Sequence, residues 1–234
     1  MKLQSLRRGT AAAAIVTLSF TLAACGEEDE PSTSGSSASD SASESASEPA
    51  EPTETDSEAT GSDPSAQTFG AGCAEVPTDG PGSFTGMVDD PVATAASNNP
   101  LLKTLVAAVG ATQLGDTLND QPALTVFAPY DPAFEEMGSM VDDLVAGVAE
   151  AETPQTSPLA QILAHHVLPE NLDPASVAGE QDTLNMDKIT VTGDENGMTV
   201  SDGKVEANVI CGNIPTANAT VYVIDKVLAG ATVK

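Results

Sequence analysis

Few side chains in this sequence have the chemistry for a reaction or a metal. His165 and His166 are adjacent and are the chain's two histidines. Neighbouring residues on a helix point about 100° apart, so this pair cannot close on one ion as an i, i+4 pair does. Asp187, Asp194, Glu195 and Asp202 fall near turn-rich sequence but lack the spacing of a calcium loop. Gly82-Ser-Phe-Thr-Gly86 misses the nucleophile-elbow pattern, because Ser83 directly follows the first glycine. Neither a catalytic set, a metal-ligand set nor a cofactor-binding motif is assigned, and the chain reads as non-enzymatic. His166 is expected to be hydrogen-bonded in a semi-buried setting, with a place in a ligand-binding face as the alternative.

The cysteines at 25, 73 and 211 carry more information. Lys2, Arg7 and Arg8 form a basic start, followed by an apolar run from Ala11 to Leu22 that is short for a membrane span. The run ends Leu22-Ala-Ala-Cys25-Gly26, which resembles the processing site of bacterial lipoprotein signal peptides. That resemblance implies cleavage after residue 24 and a diacylglyceryl group on Cys25. Two acyl chains anchor stably where one holds only marginally. The acidic residues Glu27 to Glu30 would be repelled by anionic headgroups, so the lipid alone must provide the attachment. With Cys25 assigned to lipid, Cys73 and Cys211 remain. An oxidising exterior favours pairing them, with two free thiols as the alternative.

Residues 25–68 form the lipidated cysteine and an acidic stalk rich in Ser, Glu and Pro, without Lys or Arg. Such composition cannot bury enough apolar surface to offset chain entropy, so the stalk is expected to be disordered, with an r.m.s. span of roughly 35 Å. The formal net charge of the whole chain is −27. No arginine follows Arg8, and past the leader the lysines are Lys103, Lys188, Lys204, Lys226 and Lys234. A nucleic-acid footprint cannot be assembled from these.

The folded domain is expected over residues 69–234. Asp90-Pro91, Asn99-Pro100 and Ser157-Pro158 each place a capping residue before a proline, a helix-start pattern. Leu101, Leu102, Leu105, Val106 and Val109 repeat at helical spacing. Strands are expected at 125–128, 167–168, 188–192, 198–201, 205–210 and 220–224, with turns at Gly193–Gly197 and Asp202-Gly203. Helices first and strands later indicate an α+β domain. Asp131 is read as the cap of a short helix beginning at Pro132, with Phe127 and Phe134 packed inward. Asn218-Ala-Thr220 fits a glycosylation sequon but is read as part of the fold.

Three segments then resemble the signature segments of the fasciclin family. They are Leu124-Thr-Val-Phe-Ala-Pro-Tyr-Asp-Pro-Ala-Phe134, Ile162-Leu-Ala-His-His-Val-Leu-Pro-Glu-Asn-Leu172 and Asn218-Ala-Thr-Val-Tyr-Val-Ile-Asp-Lys-Val-Leu228. The segments beginning Gly72-Cys-Ala-Glu75, Asp90-Pro-Val-Ala and Val209-Ile-Cys-Gly resemble the mycobacterial secreted and lipid-anchored members in particular. The resemblance implies one fasciclin domain, a β-sandwich-like wedge of about seven strands with helices packed along one side. It also implies a Cys73–Cys211 disulfide, as the matching cysteines are joined in that subgroup.

In function, the resemblance implies a monomeric module for adhesion or protein interaction at the outer face of the cell envelope, held to the membrane through Cys25. A small-molecule or envelope-polymer binding protein, using a cleft between sheet and helices, is the alternative. Contact residues carried over from the family's central segment would be Ile162, Leu163, His166, Val167 and Leu168, although His165 stands where the family usually has Tyr. Mass spectrometry of the mature protein should find residue 25 at its N-terminus bearing acyl chains. An intact, unmodified leader would count against the anchor.

Overall fold

Alternating side chains in two fully buried segments determine the architecture. In the computed structural model, which describes residues 63–231, these segments are β1 (Leu124–Pro129) and β7 (Ala219–Ile224), paired in parallel. Leu124, Val126 and Ala128 face one apolar cluster together with Ala219, Val221 and Val223, whereas Phe127, Tyr222 and Ile224 face another. A strand with apolar residues on both faces must be covered on both sides, and here the covers differ.

Among the described residues one cover is seven α-helices, α1 (Phe84–Met87), α2 (Val92–Asn98), α3 (Lys103–Ala111), α4 (Gly115–Asp120), α5 (Asp131–Glu135), α6 (Ser139–Glu150) and α7 (Pro158–His165). The other is the far half of the same sheet. Its remaining strands are β2 (Val167–Leu168), β3 (Gly179–Asp182), β4 (Lys188–Asp194), β5 (Gly197–Ser201) and β6 (Glu206–Pro215), in the order β2-β1-β7-β6-β5-β4-β3. Strand β6 belongs to both halves. Glu206 to Asn208 pair with β5, whereas Val209 to Pro215 pair with β7, and the β7 register shifts on either side of Cys211. Bulges bend a strand and raise its twist. The bend lets Ile189, Val191, Met198 and Val200 fold over Phe127 and Tyr222, giving the wedge. On β4 the alternate residues Lys188, Thr190 and Thr192 face outward.

Strand β3 was not expected. Its sequence, Gly179-Glu-Gln-Asp182, has no apolar residue, and it forms because β4 offers it a paired edge, from Gly179 opposite Val191 to Asp182 opposite Lys188. The expected leader, Cys25 and most of the expected stalk lie outside the described residues, as do residues 232–234. Residues 64–67, assigned to the stalk by composition, form a 3-10 turn against β6, where Asn213 Nδ2 donates to Gln67 O at 3.0 Å. Phe69 then bridges Gly212, where a Cβ would meet its ring at 2.3 Å, so a side chain there would require the ring to move. The adjacent Cys73 and Cys211 are joined in a disulfide with Cα atoms 4.8 Å apart. Closing so long a loop, a sequence separation of 138, stabilises by about 5 kcal/mol in the chain-entropy account.

Helix starts show where local reading fails. Ser157 Oγ caps α7 as expected, accepting from Ala160 N at 3.2 Å. Asp131 does not cap its own helix. It is the first residue of α5, and its Oδ1 accepts from Thr104 N at 2.7 Å, capping α3 instead. Accordingly α3 begins at Lys103, three residues later than Pro100, where the Asn99-Pro100 pattern places the first helical residue. Similarly, the first turn of α2 is capped from a distance, with Val92 N donating to Asn218 Oδ1 at 2.8 Å. The Asn218 amide also donates to Leu118 O and Gln121 O at 2.9 and 2.8 Å, so this sequon residue is buried structural cement. Replacing it (Asn218→Ala) orphans one donor and two carbonyls. It should lower the unfolding free energy by roughly 2–4 kcal/mol, measured as a urea midpoint shift at constant slope.

Candidate functional site

The central segment of the sequence becomes a helix-to-strand junction, α7 running into β2. Helix α7 is apolar on one side, so Leu159, Ile162 and Leu163 are buried against the helical cluster. Leu168 crosses to the other cluster. The five residues suggested as contacts are all withdrawn from solvent, with Ile162 and Leu163 6 % exposed, His166 2 %, Val167 4 % and Leu168 1 %. A partner's surface does not reach them in this arrangement, because the amphipathic pattern that placed them on one helix face placed them on its inner face.

His166 is committed to backbone on both ring nitrogens. Leu228 N donates to Nε2 at 2.9 Å, so Nδ1 carries the proton and donates to Ile162 O at 2.7 Å. Its own carbonyl accepts from Phe127 N at 2.9 Å. Burial is the main cause of a pKa lowered to about 4 from 6.5, partly countered by the bond to Ile162 O. The ring is therefore neutral, a strut between all three signature segments. The position is more buried than expected, because the segment after β7 closes over it.

His165 points elsewhere, its ring plane at 89° to that of His166. It lies between two acids from distant turns, with Nδ1 2.6 Å from Asp187 Oδ1 and Nε2 3.8 Å from Asp202 Oδ2. The Asp202 side chain is wholly buried and accepts from Lys204 N, Val205 N and Gly230 N at 2.8, 2.7 and 2.6 Å. Asp187 also receives Thr183 Oγ1 and Asn185 Nδ2. Of the four acids singled out in the sequence, Asp187 and Asp202 flank His165, while Asp194 and Glu195 form the β4–β5 hairpin. The sequence carries no signal for this pairing, since the partners lie 22 and 37 positions away. Among the described residues no group of three or more His, Cys, Asp or Glu side chains is placed to hold a metal.

This network fixes the loop between β3 and β4. Thr183 N and Met186 N bond across it, and Leu184 N donates to Val167 O at 2.8 Å. At its tip Met186 has φ +62° and is 81 % exposed, beside Leu184 at 37 %. An apolar side chain held outward on a strained backbone is uncommon. The loop is therefore a hydrogen-bonded projection that displays two apolar side chains, and β propensity alone gives no hint of it.

The other candidate feature is a cavity of about 220 Å³ lined by residues of α3, α5, α6 and α7, together with Pro129 and Val227. It lies among the helices, whereas the cleft suggested from the sequence lay between sheet and helices; of the strands, β1 alone reaches it, through Pro129.

The histidine strut has a consequence in pH. Between pH 6.5 and 4 the unfolded chain binds a proton at His166 and the folded chain does not, so stability falls as pH drops through this window. The loss attributable to His166 is roughly 3 kcal/mol. Urea midpoints from pH 7 to 4 should show a shallower slope for His166→Gln than for the parent.

Comparison with known proteins agrees with this geometry. The fasciclin domain pattern matches residues 100–230. The immunogenic protein MPB70 of Mycobacterium bovis is 44% identical over 169 residues, covering 68% of this chain and 80% of its own. The cell surface glycolipoprotein MPB83 of the same species is 40% identical over 176 residues, covering 71% and 74%. A FAS1 domain pair from the insect cell adhesion molecule Fasciclin I superposes with a TM-score of 0.50 at 16% identity, covering 61% of this chain and 52% of that one, which supports the fold alone. A signature strand with helices on one face and a folded-over half-sheet on the other, tied by His166 and matched over more than half its length, makes this chain a member of the fasciclin-domain family.

Proposed function

We propose that this chain is an exported lipoprotein, anchored through Cys25, that presents its fasciclin domain at the cell surface for adhesion or protein interaction rather than catalysis. The observation that carries this reading is the projection at residues 183–187. The signature residues spend their polar atoms on the fold, Tyr222 included, whose Oη donates to Leu172 O at 3.0 Å. The surface held in place by that framework is then the working part, and it displays Met186 on a loop braced by Asp187 and His165. Ile162, Leu163, His166, Val167 and Leu168 act in this reading by positioning the loop, since Leu184 is bonded to Val167. Similarity to a cell surface glycolipoprotein, in a chain whose leader ends at a cysteine, supports the location.

The test uses residues 25–234 with Cys25→Ser, passed over immobilised extracellular-matrix proteins and, separately, over cell-envelope polymers. Retention on the matrix proteins that is weakened by Met186→Glu supports the proposal. Retention on the polymers alone favours the polymer-binding alternative. Retention no greater than that of a reduced-disulfide control on either support removes the adhesion reading.

A further inference from the structure

The cavity under α6 has the makings of a ligand site, and its cause is visible in the sequence. Helix α3 turns Ala107, Ala108 and Ala111 toward it, positions spaced i, i+1, i+4 and therefore sharing a face. Where α5, α6 and α7 meet that face they find methyl groups rather than branched side chains, and space is left over. Protein interiors are otherwise packed to crystal density, so these helices meet less completely than core elements do.

Its outer wall is weakly held. Every residue of α6 is half-buried or exposed, although Val141, Leu144 and Val145 line the cavity. Val145 is 43 % exposed while lining it, so the cavity reaches the surface there. Helix α6 starts after Gly138 at φ +56° without a side-chain cap, and Gly147 lies in its interior. A helix of twelve residues with such features is marginal alone, and local opening of it costs little. That provides a way in.

The chemistry of the occupant follows from what lines the space. His166 reaches the wall with both nitrogens already bonded, to Ile162 O and Leu228 N, so it offers a ligand only ring carbon. Thr104 is the one hydroxyl-bearing residue of the lining. The four surrounding helices carry Asp131, Glu135, Asp142, Asp143 and Glu150 against Lys103, so an anionic head group such as a fatty-acid carboxylate is disfavoured. An apolar cavity of roughly 150 Å³ holds a benzene ring, so this one suits about nine or ten ring carbons or an eight-carbon chain, well short of a membrane lipid's acyl tail.

We infer that the space between α3, α5, α6 and α7 is a binding site for a compact, neutral, apolar molecule, a fused bicyclic ring or a short alkyl chain, admitted by displacement of α6. Neither the display role nor the membrane anchor depends on it. The experiment is a titration of residues 25–234, Cys25→Ser, with indole, octan-1-ol and octanoate, followed through the side-chain methyl resonances of Val141, Leu144 and Ile162. Indole and octan-1-ol should shift these methyls saturably, with octanoate at least about tenfold weaker. Filling the space from either wall, by Ala111→Leu or Val141→Phe, should weaken indole at least about tenfold in whichever variant keeps the parent's methyl dispersion. Absence of saturable shifts overturns the site, as does indole binding unchanged in a folded filled variant. Octanoate binding equal to octan-1-ol overturns the assignment to neutral ligands.

Discussion

The neutral imidazole of His166 is the constraint on which the rest of the domain depends. Its two nitrogens and its carbonyl reach Ile162, Leu228 and Phe127, one residue from each of the three segments that define the family. A buried ring can take a hydrogen from one backbone group and give one to another only in a single tautomer, so the joint has polarity as well as shape. Around it, Thr125 Oγ1, Thr220 Oγ1 and Tyr222 Oη hold the stretch 170–172 through Glu170 O, Asn171 Oδ1 and Leu172 O. A charged ring at this place would have to be desolvated without a counter-ion in contact, which explains the depressed pKa.

From that joint the architecture follows in two directions. Toward the helices, Asp131 at the start of α5 caps α3, and Asn218 in the loop before β7 caps α2, so the first turns of two helices depend on segments flanking the central strands. Toward the other half-sheet, the bend of β6 at its bulges folds apolar residues over Phe127 and Tyr222, and the disulfide secures the chain's entry beside that bend. The domain is thus well packed on its wedge side. The helix side, where alanines of α3 face a loosely held α6, is where packing was left incomplete.

Much of this was legible in the residues. Strand β2 lies where its sequence put it, and β1, β5 and β7 differ from expectation by a residue or so at their ends, because β-branched and aromatic alternation is a local property. Helix α7 also begins at the expected proline, with its serine cap. The misses share one cause. Strand β3 has no apolar pattern of its own, Asp131 and Asn218 cap helices more than two dozen residues away, and the pairing of His165 with Asp187 and Asp202 spans separate hairpins. Each is a contact between segments that only the folded chain brings together.

What the sequence determined by itself was the α+β class, the family, the missing basic footprint and an apolar N-terminal run followed by a cysteine, because composition, periodicity and motif order are properties of the linear chain. Tertiary structure decided the direction each side chain faces. It turned Ile162, Leu163, His166, Val167 and Leu168 from a supposed contact surface into core, brought Met186 to the outside, and opened a cavity behind three alanines. A helical stripe records that one face is apolar. Which neighbours meet that face, and how completely they fill it, depends on pairings across the sheet that no local pattern encodes.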